Sequence, residues 1–418
     1  MSRLLLISYA FPPLLAPESL LSSRTMNALA ARGWDITALS VRPQDTGEPC
    51  DPGLEAGLAA SIRVVRTRGP AGIVPFAPAA GRIAARAFSR LGLTCERSSL
   101  WAPFATRAAR RLAREQAFDV VHSWASDHVG NVVGLALRRA TGLPWVAHFS
   151  DPWLRKPLLV PHPLQRARVA RLERAILREA DAVVFTTDET VDLVYAGYPG
   201  EWRRRAHVIP HGYVPVTVPP PGPRNARLQL LHTGAFYPGT RTPDGLFAGL
   251  ARLASHRALR GVLQVDLVGP NARQYADAAE AAGLDGIVNL LPAVPFAEVQ
   301  QLTVRADVLL VIDAPSINSV FQPSKLVDYL AVRKPILGLT PRSGASAALL
   351  GRLGFRAVEP DDADAIAGAI GGLIEDWEAG RLALPGGYER VASQYDIHVT
   401  AAQLESLLRG ASREPVAP

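Results

Sequence analysis

One stretch decides the fold: Phe321-Gln322-Pro323-Ser324-Lys325-Leu326-Val327-Asp328-Tyr329-Leu330, which follows the apolar run Ala306-Asp307-Val308-Leu309-Leu310-Val311-Ile312-Asp313. A short aliphatic run between polar residues is typical of a strand buried on both faces, as in the centre of a parallel sheet. A loop from about Ala314 to Pro323 leads to a helix, which Ser324 is expected to cap at its N-terminus. The stretch therefore predicts a strand, a loop and a helix start.

The first turn of this predicted helix carries Lys325 and Asp328 on one face, because the two residues are three positions apart. Free N–H groups and the positive end of the helix dipole attract anions, and an ammonium group adds a full charge. This pattern favours a phosphorylated ligand, with Asp328 accepting hydrogen bonds from the hydroxyls of a ribose. The alternative is that Lys325 is merely exposed and Asp328 merely complements the dipole.

Short apolar runs alternate with helical patterns in both halves of the chain, which predicts parallel α/β domains. At 418 residues the chain is too long for one ordinary core and suits two domains. A proline-rich segment, Val214–Pro223, marks the expected linker. The predicted regions are an N-terminal Rossmann-like domain at 1–214, a second at 224–387, and a C-terminal helix from Tyr388 to Arg409 within 388–418 that packs back across the domains. Two such domains facing each other form a cleft at the carboxyl ends of their strands, where ligands usually bind.

Composition and spacing disfavour several classes of protein. Hydrophobic residues at 48% with 20% charged residues indicate a folded globular chain. No apolar run reaches the roughly 18 to 20 residues of a membrane span, and Leu4–Ser8 is expected to be a first strand of a cytoplasmic protein, not a signal segment. No G-x-G-x-x-G follows that strand, which argues against a nicotinamide dinucleotide and so against a dehydrogenase. Neither Cys50 nor Cys95 has a disulfide or zinc spacing, and no metal or other cofactor is expected.

A basic region lies between residues 82 and 114, where eight arginines have only Glu96 and Glu115 as acidic neighbours. Basic residues interleaved with aromatic and aliphatic ones are typical of a surface that rests on anionic lipid headgroups. The alternative is an arginine-rich helix face that lies on its own domain, and nucleic acid is disfavoured because no recognised binding motif accompanies the charge. The residues expected to form this membrane or acceptor surface are Arg82, Arg86, Arg90, Trp101, Phe104, Arg107, Arg110 and Arg111.

Eight short stretches have an order and spacing that together are specific: Ile7-Ser8-Tyr9-Ala10-Phe11-Pro12-Pro13, Ala31-Arg32-Gly33-Trp34-Asp35-Ile36-Thr37, Val146-Ala147-His148-Phe149-Ser150-Asp151-Pro152-Trp153, Ala180-Asp181-Ala182-Val183, Val208-Ile209-Pro210-His211-Gly212, Thr233-Gly234, Val268-Gly269-Pro270, and the stretch from Pro323 to Leu330. With these residues nearly the whole chain resembles the retaining GT-B glycosyltransferases, particularly the family 4 enzymes of bacterial cell-surface polysaccharide synthesis. The resemblance implies a nucleotide-sugar donor on the C-terminal domain and the acceptor on the N-terminal domain.

The resemblance also implies roles for individual residues. Lys325 and Arg241 are expected to grip the donor diphosphate, together with Gly234 and Ser324, and Asp328 stands where the family has the ribose-binding Glu of its E-x7-E motif. His148 is expected to contact the donor sugar near its reacting carbon, with Asp151 orienting or supporting it. The alternatives are a core histidine for His148, a turn residue for Asp151 and a merely exposed Arg241.

Two positions depart from the family pattern. Val320 stands eight residues before Asp328, where the family has its first Glu, a contact to the donor sugar. Asn318 or Ser319 is the expected substitute for that contact. The N-terminal loop has Ala16-Pro17-Glu18 in place of the family's glycine pair, which puts the usual backbone approach to the diphosphate in doubt.

The expected function is therefore metal-independent transfer of a sugar, with retention, from a nucleotide diphosphate sugar to a lipid-linked or saccharide acceptor in cell-surface polysaccharide or glycolipid synthesis. UDP is the expected nucleotide, and the expected location is the cytoplasm, peripheral on the inner face of the cytoplasmic membrane. Two alternatives stay open. One is a GT-B nucleotide-sugar epimerase, and the other is a catalytically degenerate nucleotide-sugar-binding scaffold, which the missing Glu at Val320 favours.

Overall fold

The computed structural model describes residues 1–69, 83, 87, 96–125, 127–156, 162–217, 225–317 and 319–413. The chain divides into two compact units. The N-terminal unit comprises Met1–Gly212 and Ile397–Pro418, and the C-terminal unit comprises Tyr213–Asp396.

The N-terminal unit is built on a parallel sheet whose described strands have the order β3-β2-β1-β4-β5-β6-β7. These strands are β1 (Ser2–Ser8), β2 (Trp34–Val41), β3 (Ile62–Thr67), β4 (Val120–Trp124), β5 (Trp145–Phe149), β6 (Ala182–Phe185) and β7 (Ala206–Val208). Its helices, in chain order, are α1 (Pro17–Ala31), α2 (Pro52–Ala56), α3 (Ala102–Glu115), α4 (Val129–Thr141), α5 (Pro163–Glu179) and α6 (Asp188–Tyr195). The crossovers put helices on both faces of the sheet, as the sequence pattern predicts.

The C-terminal unit is built on a second parallel sheet, of order β10-β9-β8-β11-β12-β13 in the described residues. Its strands are β8 (Leu228–Thr233), β9 (Leu263–Val268), β10 (Val288–Leu291), β11 (Val308–Ile312), β12 (Ile336–Leu339) and β13 (Ala357–Val358). Its helices are α7 (Asp244–Ala254), α8 (Ala276–Ala281), α9 (Phe296–Arg305), α10 (Ser324–Val332), α11 (Ala345–Leu353), α12 (Ala363–Glu378) and α13 (Tyr388–Ala392). The two parallel sheets confirm the predicted two-domain α/β fold.

Both sheets are packed on both faces. In β1, Leu5 and Ile7 belong to one hydrophobic cluster while Leu4 and Leu6 belong to another, since successive side chains of a strand point to opposite faces. All four side chains are fully buried. The predicted central strand β11 behaves in the same way, which explains why its sequence is continuously apolar instead of alternating.

The C-terminal region differs from the prediction of a single helix from Tyr388 to Arg409. It forms α13 in the C-terminal unit and a separate helix, α14 (Ile397–Arg413), in the N-terminal unit. The hydroxyl of Tyr388 donates to the Leu330 carbonyl (2.9 Å), and the Tyr395 carbonyl accepts from the Tyr213 amide (2.7 Å). These contacts hold the segment from Tyr388 to Tyr395 in the C-terminal unit, so α14 begins as a separate helix after Asp396.

Helix α14 covers one face of the N-terminal sheet with Ile397, Ala401, Leu404 and Leu408, each at most 3% exposed. Its Glu405 carboxylate accepts hydrogen bonds from Arg409 (2.8 Å) and from the Trp34 indole (3.3 Å), and it pairs with Arg32. The final helix is therefore an integral part of the N-terminal unit.

Candidate functional site

The C-terminal sheet has its topological switch point between β8 and β11. From β8 the chain continues to β9 and β10 on one side, whereas β11 continues to β12 and β13 on the other. The two neighbouring strands are parallel and therefore end at the same edge, at Thr233 and Ile312. Open α/β sheets bind ligands outside the carboxyl ends of the strands at such a point.

Lys325, the second residue of α10, lies at this edge. Its half-buried side chain places Nζ 3.2 Å from Nε2 of His232, a residue of β8. Burial and the positive charge of Arg241 lower the pKa of Lys325 to about 7, although the negative charge of Asp313 opposes the shift. Three polar groups from different parts of the sequence thus surround the predicted diphosphate-binding lysine.

Gly234 leaves room for this lysine. Its φ of +124° lies in the region that favours glycine, and a Cβ placed there would be 2.5 Å from Lys325 Nζ. Gly269, at the end of the adjacent β9, allows the same loop to approach, because a Cβ at Gly269 would lie 2.2 Å from the Gly234 carbonyl oxygen. The predicted site residues Gly234 and Lys325 are therefore in direct contact.

Arg241 is half-buried in the structure, and its guanidinium is held by its own loop. One nitrogen, Nη2, donates to the Ala235 carbonyl (2.8 Å), and the guanidinium carbon lies 4.7 Å from the centre of the Tyr237 ring. Backbone hydrogen bonds between Tyr237 and Arg241 close the tight turn that carries both residues. Nε is buried and has no hydrogen-bond partner in the described part of the chain, so Arg241 keeps hydrogen-bonding capacity for a ligand.

Asp313, which follows β11, was not predicted as a site residue. It is 5% exposed and accepts a hydrogen bond from the Thr340 hydroxyl (2.8 Å). Burial raises the pKa of its carboxyl group, while hydrogen bonds from Ser346 and Thr340 and the charges of Arg241 and Lys325 oppose the shift. Its position directly after a predicted central strand is the sequence feature that could have indicated a site residue, because ligands of α/β sheets bind at the carboxyl ends of the strands.

The start of α10 corrects one prediction. Ser324 is the first helical residue, and the N-cap position belongs to Pro323, whose φ of −58° and ψ of 133° are not helical. Proline has no N–H and a fixed φ, so the helix begins directly after it. No side-chain cap occupies this helix start in the described residues. In the first turn of α10, the Leu326 amide donates to the Pro323 carbonyl (3.0 Å).

The remaining predicted donor residues lie nearby in the sequence. Asp328 is half-buried in α10, next to Tyr329, whose hydroxyl accepts from the Thr233 amide (3.1 Å). Ser319 is 7% exposed, and its carbonyl accepts from the Ala345 amide (2.9 Å) at the start of α11. Val320, in place of the family's first Glu, is 5% exposed. Asn318 lies outside the described residues.

The N-terminal sheet has a corresponding switch point between β1 and β4, with His148 on the neighbouring β5. The His148 side chain is 2% exposed and stacks on Trp124, with ring centres 4.2 Å apart. The ring centres of His122 and His211 lie 6.2 and 5.7 Å from that of His148. Burial and the other imidazoles hold the pKa of His148 well below its usual value. Burial also lowers the pKa of His122 to about 4 and that of His211 to about 3. These imidazoles are therefore uncharged at neutral pH.

Asp151, predicted to support or orient His148, forms an ion pair with Lys156, with Oδ2 3.1 Å from Nζ. The side chain that approaches His148 Nδ1 is Ser150, at 3.4 Å. The pKa of Lys156 is raised although burial opposes it, because of the charge of Asp151 and the hydrogen bond to that side chain. The loop after β5 thus carries an ion pair beside the histidine cluster.

The first turn of α1, near the end of β1, contains a buried carboxyl group. Glu18, in the first turn, is 5% exposed and accepts a hydrogen bond from the Ser8 hydroxyl (2.9 Å). An acidic side chain in the first turn complements the positive end of the helix dipole. The departure from the family's glycine pair therefore places a negative group at this helix start.

The basic region requires a second correction. Trp101 is fully buried, with its indole nitrogen donating to the Thr67 hydroxyl (2.7 Å) and its ring 5.6 Å from that of Tyr9, so it belongs to the core and not to a surface. Phe104 is half-buried. Three of the predicted arginines are exposed on α3: Arg107, Arg110 and Arg111. Arg82, Arg86 and Arg90 lie outside the described residues.

Comparisons with known proteins agree with this architecture. Residues 22–212 match the model of the glycosyl transferase 4-like domain. Among solved structures, the chain is similar to sucrose-phosphate synthase from Thermosynechococcus elongatus, with a TM-score of 0.70, 19% identity and coverage of 98% of this chain and 99% of that chain. A comparison with curated proteins finds no match.

Two further structures have the same fold. A glycosyltransferase from Rickettsia africae gives a TM-score of 0.66 at 11% identity, with 99% of both chains covered. The α,α-trehalose-6-phosphate synthase from Burkholderia multivorans gives 0.62 at 14% identity, also with 99% of both chains covered. At these identities the likeness concerns the fold. The chain therefore has the GT-B fold, and its residues 22–212 are similar to a glycosyl transferase 4-like domain.

None of the helices in the described ranges has both the length and the apolar character needed to cross a membrane. Nor do three or more His, Cys, Asp or Glu side chains of that part of the chain come together as a metal site.

Proposed function

We propose that the protein transfers a sugar from a nucleotide diphosphate sugar, with UDP as the expected nucleotide, to a hydroxyl of a lipid-linked or saccharide acceptor, with retention at the anomeric carbon. The match to a glycosyl transferase 4-like domain and the GT-B fold support the reaction class. The nucleotide, the acceptor and the stereochemical outcome follow from the resemblance to family 4 enzymes.

The observation that carries the proposal is the pair of cations at the switch point of the C-terminal sheet, Lys325 and Arg241. Both are half-buried, and Lys325 is the second residue of α10, a helix that starts without a side-chain cap in the described residues. In glycosyl transfer, positive charge grows on the sugar while negative charge grows on the departing diphosphate. Fixed cations and a helix terminus stabilise that leaving group, which is the largest electrostatic requirement of the reaction.

This chemistry is proposed to proceed without a metal ion, because the two side chains supply the positive charge that a divalent cation would otherwise provide. Ser324 and Gly234 contribute backbone groups at the same edge, and Asp328 is assigned to the ribose. From the resemblance, His148 is assigned to the reacting carbon of the donor sugar, and Asp151 is assigned to support or orient His148. His148 acts there as an uncharged group, since its pKa is held low by burial.

The acceptor is assigned to the N-terminal unit, and the exposed face of α3 is proposed as a membrane contact. Arg107, Arg110 and Arg111 are exposed on this helix, with Phe104 half-buried one turn before Arg107. Arginines near apolar side chains favour anionic headgroups. We therefore propose a peripheral location on the inner face of the cytoplasmic membrane and a role in cell-surface polysaccharide or glycolipid synthesis.

Binding and turnover measured together test the proposal. Calorimetry with UDP, GDP, ADP and dTDP identifies the nucleotide, and release of that diphosphate from its sugar conjugates measures turnover. Lys325→Ala is expected to reduce turnover by a factor of about 10² to 10³, the usual cost of one lost contact to a developing negative charge. Lys334→Ala, a half-buried lysine just beyond α10, is the matched control and is expected to behave as the wild type.

The alternatives give different results. An epimerase releases free nucleotide diphosphate from the donor without any acceptor. A scaffold binds the diphosphate without turnover, and Lys325→Ala then changes affinity alone. Absence of binding for all four diphosphates would refute the proposed function.

A further inference from the structure

His232 links the two strands at the switch point to the predicted diphosphate-binding lysine. It is the penultimate residue of β8 and is fully buried. One ring nitrogen, Nδ1, lies 3.1 Å from the carbonyl oxygen of Leu310 in β11, and the other, Nε2, lies 3.2 Å from Lys325 Nζ. The imidazole thus bridges the strand and the ammonium group.

The partners of the ring decide its tautomer. A carbonyl oxygen only accepts hydrogen bonds, so Nδ1 must carry the proton and donate it to Leu310. Nε2 is then an acceptor, and the Lys325 ammonium donates to it. Burial and the charges of Lys325 and Arg241 hold the pKa of His232 well below its usual value, although the Leu310 carbonyl opposes this, so the ring is uncharged.

A neutral acceptor suits a cation that has to bind an anion. A carboxylate in this position would hold the ammonium equally well but would cancel its charge. The imidazole fixes the direction of the ammonium and, being neutral, does not cancel its charge. Asp313 is the carboxylate that acts on Lys325 electrostatically, and it accepts a hydrogen bond from the Thr340 hydroxyl.

The ring itself is fixed by packing. Phe236 stacks on His232, with ring centres 5.1 Å apart and planes 17° from parallel. The Phe236 backbone is bound on both sides by Asn271, whose Oδ1 accepts from its amide (3.0 Å) and whose Nδ2 donates to its carbonyl (2.6 Å). The loop after β8 therefore holds the imidazole plane in one orientation.

We propose that His232 is a positioning residue: as an uncharged hydrogen-bond acceptor, it aims the Lys325 ammonium at the diphosphate of the donor. The inference about the diphosphate rests on the proposed function. The effect of His232 on the pKa of Lys325 does not depend on the proposed function, since it concerns the ligand-free protein. Two independent measurements therefore test it.

The first measurement uses no nucleotide. The chain has only three lysines, Lys156, Lys325 and Lys334, so the NMR signals of ¹³C-dimethylated lysines can be assigned with single Lys→Arg variants. Loss of an acceptor disfavours the charged form of Lys325. In His232→Asn, which keeps a donor for Leu310 but is too short to reach Lys325, the pKa of Lys325 is expected to fall. In His232→Gln, whose side-chain oxygen can replace Nε2, it is expected to stay near the wild-type value.

The second measurement is calorimetric titration with UDP, with uridine as the probe that lacks phosphate. His232→Asn is expected to weaken UDP binding about tenfold, the range for one hydrogen bond to a charged group. The variant should leave uridine binding unchanged, and His232→Gln should recover most of the loss. Thermal melting of both variants separates these effects from loss of folding.

The outcomes distinguish the two levels of inference. If the pKa of Lys325 is the same in His232→Asn, His232→Gln and the wild type, or if Asn and Gln impair UDP binding equally, His232 only fills space and the positioning role is wrong. If the wild type binds no nucleoside diphosphate but the pKa of Lys325 responds as expected, the contact is real and the proposed function fails.

Discussion

Gly234→Ala is the substitution whose effect the structure defines most closely. A Cβ at this position would lie 2.5 Å from Lys325 Nζ, and ordinary contact between heavy atoms needs about 3.5 Å. The ammonium must therefore move by about 1 Å. Its hydrogen bond to His232 is already 3.2 Å long, and a distance above about 3.5 Å would break it.

The same substitution also strains the backbone. A φ of +124° is costly for alanine, by about 1 to 3 kcal/mol. For a unit of this size, each kcal/mol lowers Tm by about 2 to 4 °C, so a fall of about 2 to 12 °C is expected. Strain alone does not alter ligand affinity as long as the protein stays folded. The displaced ammonium does, and a loss of about tenfold in nucleoside diphosphate affinity is expected.

The chain contains a matched control for the backbone effect. Gly261 also has a positive φ (+79°), but no atom of the described residues lies within 4 Å of a Cβ placed there. Gly261→Ala should lower Tm in the same way and leave diphosphate affinity unchanged. Calorimetry and thermal melting of the two variants separate the contributions. Equal affinities for Gly234→Ala and Gly261→Ala would refute the idea that Gly234 makes room for Lys325.

Three further predictions concern pH, the C-terminal helix and the basic helix. Because the Lys325 pKa is lowered to about 7, the group loses its charge as pH rises past that value, and UDP binding should weaken from pH 7 upward in the wild type but not in Lys325→Met. Hydrogen bonds from Arg409, Arg32 and Trp34 lower the pKa of Glu405, although burial opposes them. The ionised group therefore stabilises the fold above about pH 4.3, its pKa in the unfolded chain, and this stabilisation is lost as the pH falls through its pKa in the folded protein. Glu405→Gln should accordingly have a lower Tm than the wild type at pH 7, and this difference in Tm should shrink in acid. Glu115→Gln, at an exposed position, should have the Tm of the wild type at both pH values. Replacing Arg107, Arg110 and Arg111 by Gln should reduce sedimentation with anionic liposomes at low salt without altering UDP affinity, and equal sedimentation of variant and wild type would refute the membrane surface.

The central strands were predictable because parallel strands are buried on both faces and so appear as continuous apolar runs. The runs at Leu4–Ser8 and Ala306–Asp313 gave strands at nearly the predicted residues. These features depend on a residue's own neighbours in the sequence.

Three predictions failed, two of them because contacts between residues distant in the sequence override the local pattern. Trp101 was assigned to a surface from its basic neighbours, but the Thr67 hydroxyl from β3 satisfies its indole and lets the ring enter the core. The break between α13 and α14 arises where the Tyr213 amide bonds to the Tyr395 carbonyl, a contact between distant residues. Ser324 was expected as a cap, yet the preceding proline fixes the chain at that position.

The sequence by itself determined the class of fold, the alternation of strands and helices, and the lysine at the start of α10, because each follows from local periodicity and helix-start chemistry. Tertiary structure alone decided what surrounds that lysine. His232 and Leu310 are 78 residues apart and meet only because β8 and β11 are neighbours in the sheet. Strand order is set by long-range pairing, which leaves no local pattern, so the partners of Lys325 emerge only when the sheet is assembled.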